Sequence, residues 1–444
     1  MALTARRTCW CSGQIRWRSF RLWCCIVAAC MCTTCAPDVE CPSCVLRFVT
    51  WKPGQPAVWD EIIALFEAEH PGMRVVREIG PHSSTAFHDM LTQKLKNKSS
   101  DTDIFFMDVI WPPEFAAAGW AEPLDRFFPE PDRNEFIQGA LLANTWEGSL
   151  YGVPLFIDSG MFYYRADLLA RYGLNPPVTW PEMVRQAHLI VAREARQGRH
   201  LFGFSGQFKQ YEGLVCNMLE YILGNQGAII DQQEGRPAID SPAALAAVAF
   251  VRDEIIGRVA PRGVLTYEEP ESLALFIQGR TVFHRNWPYA WEVANDPKRS
   301  RIAGSVGIAA LPHFSGGTSC AALGGWQLGM SRYSRNKKAA WAFIRFLTSS
   351  RVQKLLALGA GLAPTRASLY DDADIIRKYP QFAAMRAVFL GAQPRPRSPL
   401  YPGLSHVLQR YFSRVLADPG ADLRAEALSA SAGIGKILQL AREE

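Results

Sequence analysis

Beyond residue 44 this chain is almost without cysteine. Nine of its eleven cysteines lie before Val45, and the rest of the sequence holds only Cys216 and Cys320. A disulfide-stapled scaffold is therefore excluded for the body. A charge excess is missing too. The formal net charge is +6, but Arg6, Arg7, Arg16, Arg18 and Arg21 sit in an acid-free leader, and removing those five leaves +1. Binding nucleic acid needs a basic excess, so no nucleic-acid partner is expected. Long apolar runs are absent: the stretch 22–29 is far too short to cross a bilayer as a helix. The sequence has no P-loop, no G-x-S-x-G, no H-E-x-x-H, and no G-x-G-x-x-G opening a helix after a strand. Its eight histidines are scattered. Nothing in it calls for a nucleotide, a metal, a cofactor or a covalent nucleophile, and no catalytic residue is assigned.

The leader itself is informative. A basic segment ends at Arg21 and a short apolar segment runs from Leu22 to Ala29. This is the build of a secretory signal peptide, expected over 1–29. It ends in Val27-Ala28-Ala29-Cys30, which is similar to a bacterial lipobox, so Cys30 is the expected lipidation site. Residues 30–44 then read as a Cys-rich tether. Cys32-Thr-Thr-Cys35 and Cys41-Pro-Ser-Cys44 have C-x-x-C spacing. A haem site would need His after the second Cys, and these are followed by Ala36 and Val45. A zinc site would need a second ligand pair, and none is evident nearby. An extracytoplasmic protein held to the membrane by a lipid alone is the expectation.

A chain of 444 residues is too long for one small core, and two domains are expected. From Val45 strand and helix alternate. Val45–Thr50 is β-rich, Val58, Ile62, Leu65 and Phe66 recur at helical spacing, Met73–Ile79 reads as a strand, and Phe87, Met90, Leu91 and Leu95 mark a second helix. Ile104–Asp108 is an apolar run ending in a carboxylate, as expected of a buried parallel strand. The order predicts a doubly wound α/β lobe, in which ligands bind beyond the carboxyl ends of strands. The stretch from Leu150 to Gly160 and a second from Arg301 to Pro312 read as extended crossings to and from another lobe. Helices are expected through Trp180, Met183, Ala187 and Ile190, over 214–223, through Ala340, Phe343, Ile344 and Leu347, and over 424–440.

The densest candidate for chemistry is Phe283-His-Arg-Asn-Trp287-Pro-Tyr289-Ala-Trp291. Flat rings beside hydrogen-bonding groups suit a sugar, whose C–H face lies on an aromatic face while its hydroxyls need polar partners. A buried aromatic cluster would look the same. Asp108 and Asp158 each follow an apolar run, and a carboxylate there can accept two sugar hydroxyls, cap a turn, or serve as acid or base in a glycosidase. In Gly324-Gly325-Trp326 the glycines would let backbone approach a ligand closely, and a core Trp in a tight turn would read the same. The Pro-stiffened loop with Arg395, Arg397 and Tyr401 could wall a cleft or face solvent. The acidic run Glu268-Glu269-Pro270-Glu271 reads as a solvated face.

Several stretches taken together resemble the extracellular solute-binding proteins of bacterial and archaeal ABC sugar importers, especially the trehalose/maltose-binding branch. They are KSSDTDIFFMDVIW (98–111), FIDSGMFYYRADLL (156–169), KQYEGLVC (209–216), HRNWPYAW (284–291), LGGWQLGMSRYS (323–334) and PRPRSPLYP (394–402). The resemblance implies a periplasmic-binding-protein-like fold of type II: two doubly wound α/β lobes joined by hinge strands, with the ligand between them. Lobe one would be 45–155 with 307–350, and lobe two 156–306 with 351–444. By motif match the sugar would meet Asp108, Asp158, Trp287, Gly325, Trp326, Arg395 and Tyr401. Trp287 would be the stacking platform, with Tyr289 and Trp291 as supporting packing. At three positions the chain departs from that branch. Gln55 stands where an acid is expected, Phe87-His88 where an Arg is expected, and Phe156 where a Tyr is expected. Gln55 and Phe156 remain candidate contacts. The resemblance further implies a monomeric receptor without enzymatic activity, partnered by permease subunits and a separate ATPase. Two other readings remain: a secreted glycosidase using Asp108 and Asp158, and a sugar receptor feeding a signalling partner.

Overall fold

The computed structural model describes residues 43–443 apart from 53–54, 232–233 and 381. The expected signal peptide, Cys30 and all but the end of the expected tether lie outside the described residues. Two sheets carry the fold. In chain order their strands are β1 (Cys44–Thr50), β2 (Met73–Ile79), β3 (Ile104–Asp108), β4 (Val153–Ser159), β5 (Met161–Arg165), β6 (Phe202–Ser205), β7 (Thr281–Asn286), β8 (Val306–Ala309), β9 (Leu323–Met330) and β10 (Ala363–Pro364). The first sheet has the order β10-β4-β9-β3-β1-β2 and the second β8-β5-β7-β6. Each sheet anchors one lobe.

Local sequence explains these strands. In β1 the side chains of Cys44, Leu46 and Phe48 are buried while Val45 and Arg47 face out, the two-residue alternation of a strand. Cys44, placed in the tether by the sequence, is thus already part of β1, opposite Met73. All five residues of β3 are buried, as its unbroken apolar run demands. The sheets are mixed. β1, β2 and β3 are parallel, but β9 runs antiparallel to both β3 and β4 because the chain returns from the second lobe.

The helices that position the cleft are α1 (Pro56–Glu69), α2 (Ser84–Lys96), α3 (Trp180–Ala195), α4 (Glu212–Gly224), α5 (Glu269–Ile277), α6 (Lys337–Leu347), α7 (Ser350–Ala360), α8 (Tyr401–Ala417) and α9 (Leu423–Glu443). Trp180, Met183, Ala187 and Ile190 fall on one stripe of α3 and all are buried. The Thr179 side chain caps that helix by accepting from the Glu182 N–H. Ala340, Phe343, Ile344 and Leu347 form the buried stripe of α6.

The lobe boundaries differ from those read in the sequence. β4 stays paired with β9 as far as Ser159, so the first crossing is at Gly160 rather than at 155–156. β8 pairs with β5 in the second sheet, so the return to lobe one comes after Ala309 instead of at 307. α7 packs on α1, and β10 pairs with β4, which places 350–364 with lobe one. The chain then crosses a third time through 392–400 before α8, which packs on α4 and α9.

A buried ion pair lies beneath the crossings. Arg285 donates from Nε to Glu220 Oε2 (2.9 Å) and from Nη2 to Oε1 (2.5 Å). The same Oε1 accepts the Ala322 N–H on the second crossing at 3.2 Å. Gly160 N–H donates to Ala322 O at 3.3 Å, so two crossings are bonded to each other. A side chain at Gly160 would run into Glu220 and Arg285, which explains glycine there.

Candidate functional site

A cleft with about 1090 Å³ of open space lies between the lobes. Strand ends build it, as the fold class requires. β3 delivers Asp108, β4 delivers Phe156 and Asp158, and β9 delivers Gly325 and Trp326. Trp287 follows β7, Gln55 precedes α1, and Arg395 comes from the third crossing. The structure thus brings eight of the nine sequence-selected residues to one cavity. Tyr401 is not among its lining residues. Its hydroxyl donates to Glu212 Oε1 at 2.6 Å, one layer behind the wall.

Backbone geometry accounts for the two glycines. Gly325 has φ +128°, and a Cβ there would lie 2.7 Å from the Phe156 carbonyl oxygen, so only glycine fits. A Cβ at Gly324 would sit 3.0 Å from the Trp287 ring, so that ring lies close against β9. Trp287 is fixed from several sides. Its indole N–H donates to Glu269 Oε1 (3.0 Å), the Tyr163 hydroxyl donates to its carbonyl (2.8 Å), and the Arg285 guanidinium lies 4.1 Å from its ring centroid. Trp326 meets Trp51 at 5.7 Å, Trp111 at 5.6 Å and Phe87 at 5.8 Å between ring centroids. Phe87, standing where an Arg was expected, is a buried apolar support for Trp326. His88 bonds Glu114 at 2.6 Å. Trp291 and Tyr289 both pack on the core, and Tyr289 also lines the cleft.

Charge in the cleft is concentrated around one guanidinium. Arg395 is 3% exposed and donates to Asp108 Oδ1 (2.9 Å) and Glu212 Oε1 (2.8 Å). Glu212 also accepts from Ser405 Oγ (2.5 Å), and its backbone N–H donates to Thr85 Oγ1 on α2 (3.3 Å). Burial pushes the Asp108 carboxyl up, with Arg395 opposing. Asp158 is different. Burial, and next the charge of Asp108, push its carboxyl up to about 7. Its Oδ1 is buried with no hydrogen-bond partner, as are Arg395 Nε and Trp51 Nε1. Cys216 also lines the cleft, and burial pushes its thiol up to about 12, so it stays a neutral wall. Among the described residues no cluster of His, Cys, Asp and Glu could hold a metal ion.

Several cleft residues were not singled out in the sequence, among them Glu212, Glu269 and Trp51. Glu212 was visible as an acid opening an otherwise apolar helix. Glu269 belongs to the run read as a solvated face. Glu268 and Glu271 form a capping box that starts α5, and Glu269 between them reaches the cleft. Trp51 had no distinguishing signal beyond its place after β1.

A family model described as bacterial extracellular solute-binding protein matches residues 51–354. The chain belongs to this family. A solute-binding protein of this kind is a receptor and not an enzyme, which overturns the glycosidase reading of Asp108 and Asp158. The chain is 38% identical over 317 residues to a probable ABC transporter-binding protein of Deinococcus radiodurans, covering 71% of this chain and 74% of that one. It is 25% identical to the mannitol-binding protein of Pseudomonas aeruginosa, over 70% of this chain and 71% of the other. The maltose-bound T. maritima MalE3 structure is similar with a TM-score of 0.81 at 37% identity, covering 89% of this solute-binding protein and 100% of MalE3. The two-lobed type II periplasmic-binding-protein fold expected from the sequence is therefore the one present.

The Asp158 carboxyl makes a stability prediction. Unfolded it ionises near 3.8, but folded only near 7. The folded state holds the proton more tightly, so stability falls as pH rises through this window, by roughly 4 kcal/mol in all. Asp158→Asn should flatten that fall and raise the denaturation midpoint of the ligand-free protein at about pH 8. Chemical denaturation across pH checks this; an unchanged profile in the variant would contradict the assignment.

Proposed function

We propose that this solute-binding protein is the receptor of an ABC sugar importer and takes a disaccharide of the trehalose/maltose type in the interlobe cleft. It hands the sugar to membrane permease subunits driven by a separate ATPase. The observation that carries this reading is the coincidence of aromatic faces and orphaned polar atoms in one cavity. Trp51, Trp287, Trp326 and Tyr289 offer ring surface. Asp158 Oδ1 lacks a donor, while Arg395 Nε and Trp51 Nε1 lack acceptors. A buried polar atom without a partner is costly, and a hydroxyl can serve either kind. A disaccharide brings apolar ring faces and many hydroxyls together, which suits both halves of the wall. The maltose held by the T. maritima relative at 37% identity supports the same ligand class. In this reading Asp108 and Asp158 accept hydroxyls, Arg395 donates, Trp287 and Trp326 stack, Gln55 and Phe156 complete the wall, and Tyr401 acts through Glu212. Affinity in the micromolar range would correspond to about −8 kcal/mol.

The receptor works as a monomer outside the cytoplasm, tethered through lipidated Cys30 once the leader 1–29 is removed. Among the described residues no helix is long and apolar enough to cross a membrane.

Calorimetry with a panel of disaccharides tests the ligand. At least one α-linked glucose disaccharide should bind, and Trp287→Ala should weaken it roughly 30-fold or more, as for a central aromatic worth about 2 kcal/mol. Silence toward every sugar would sink the ligand assignment, and undiminished binding by a well-folded Trp287→Ala would remove that ring from the site. For the anchor, Cys30→Ala should move the protein from the membrane fraction to the soluble one; unchanged fractionation would refute lipidation at Cys30.

A further inference from the structure

The cleft carries more negative charge than a neutral sugar needs. Four carboxylates line it, Asp108, Asp158, Glu212 and Glu269, against two guanidinium groups, Arg299 and Arg395. Arg395 is divided between Asp108 and Glu212. Arg299 is exposed at the rim, where water screens it. Asp158 and Glu269 are left without a cation of their own. Glu269 accepts a hydrogen bond from the indole of Trp287, a neutral group. Asp158 is 8% exposed and its Oδ1 has no partner. Arg285 acts on Asp158 from a distance, but its fork is already closed on Glu220. The negative charges of Asp108 and Glu269 both add to the burial that pushes the Asp158 carboxyl up to about 7.

Hydroxyls could satisfy the hydrogen-bonding capacity of these groups, yet above about pH 7, where Asp158 is ionised, they would leave the excess charge desolvated once the lobes close over the ligand. An ammonium group supplies both the donors and the charge. The surrounding wall favours the same chemistry. Trp51, Trp287, Trp326 and Tyr289 line the cavity beside the carboxylates, and aromatic faces attract cations, most strongly where water is excluded. Resting on the reading that the cleft binds a saccharide, we infer that its preferred ligand is a saccharide bearing a protonated amine, whose charge is compensated by Asp158 and Glu269 within an aromatic wall. Neutral disaccharides of the same shape are weaker ligands of the same site.

The test compares trehalose and maltose with their amino-deoxy analogues, each having one hydroxyl replaced by a primary amine. With the amine on the exocyclic carbon of a glucose unit, where the ring oxygens withdraw least from it, it keeps most of its proton at about pH 8 while Asp158 is mostly ionised. Calorimetry should give at least one amino analogue a Kd tenfold or more below that of its neutral parent. Asp158→Asn and Glu269→Gln should each bring that ratio toward one while both variants still melt cooperatively. Two variants are used because the charge compensation is assigned to two carboxylates. Neutral parents binding as tightly as their analogues would overturn the charge selection and leave the sugar reading standing. An advantage that survives in both variants would also overturn it, since the charge would then be read elsewhere. Silence toward all four sugars would overturn this inference together with the sugar reading itself.

Discussion

The arrangement depends first on Arg395. One guanidinium, almost wholly buried, joins the end of β3 in lobe one to the start of α4 in lobe two through Asp108 and Glu212. Buried ion pairs add little net stability, because desolvation offsets the attraction; their effect is felt when one partner is lost. Arg395 therefore fixes which surfaces face each other more than how strongly they hold. Tyr401 and Ser405 complete the coordination of Glu212, so that carboxylate is fully used by the protein. Asp158, a short distance along the same wall, is not. The contrast is between a carboxylate the protein satisfies and one whose Oδ1 it leaves without a partner.

The second constraint is the pair Arg285–Glu220. It sits where two crossings touch, bonds the second crossing at Ala322, and covers the Trp287 ring. The strand that supplies the ring and the crossings that join the lobes thus share one buried ion pair. Domain closure is carried by a few residues at such crossings, and a ring fixed to the hinge keeps its pose relative to it. Gly160 and Gly325 have the same logic in the backbone. One leaves room for the ion pair, and the other lets β9 approach β4 with a φ that side chains disfavour.

Much of this was legible in the sequence, for identifiable reasons. The alternation of apolar strands and amphipathic helices is local, so β1, β2, β3, α3 and α6 could be read from spacing alone. Asp108 and Asp158 were visible because each ends or interrupts a buried run, and Trp326 because it follows two glycines. Three things were hidden because they are set by distant partners. The crossing at Gly160 depends on β4 remaining paired with β9 through Ser159, which spacing cannot report. Glu269 looked like one of three solvated acids; the capping box takes its two neighbours and leaves it to the cleft. Tyr401 belongs to a site motif, yet its hydroxyl is consumed by Glu212, a contact across 189 residues of sequence.

The central claim is that a sugar completes the hydrogen bonding that the protein leaves open in this cleft. A crystal structure of the protein with a bound disaccharide tests it most directly. One sugar ring should lie on the face of Trp287 or Trp326, with a ligand donor within about 3 Å of Asp158 Oδ1. A sugar bound elsewhere, or one seated in the cleft with Asp158 still lacking a partner, would contradict it.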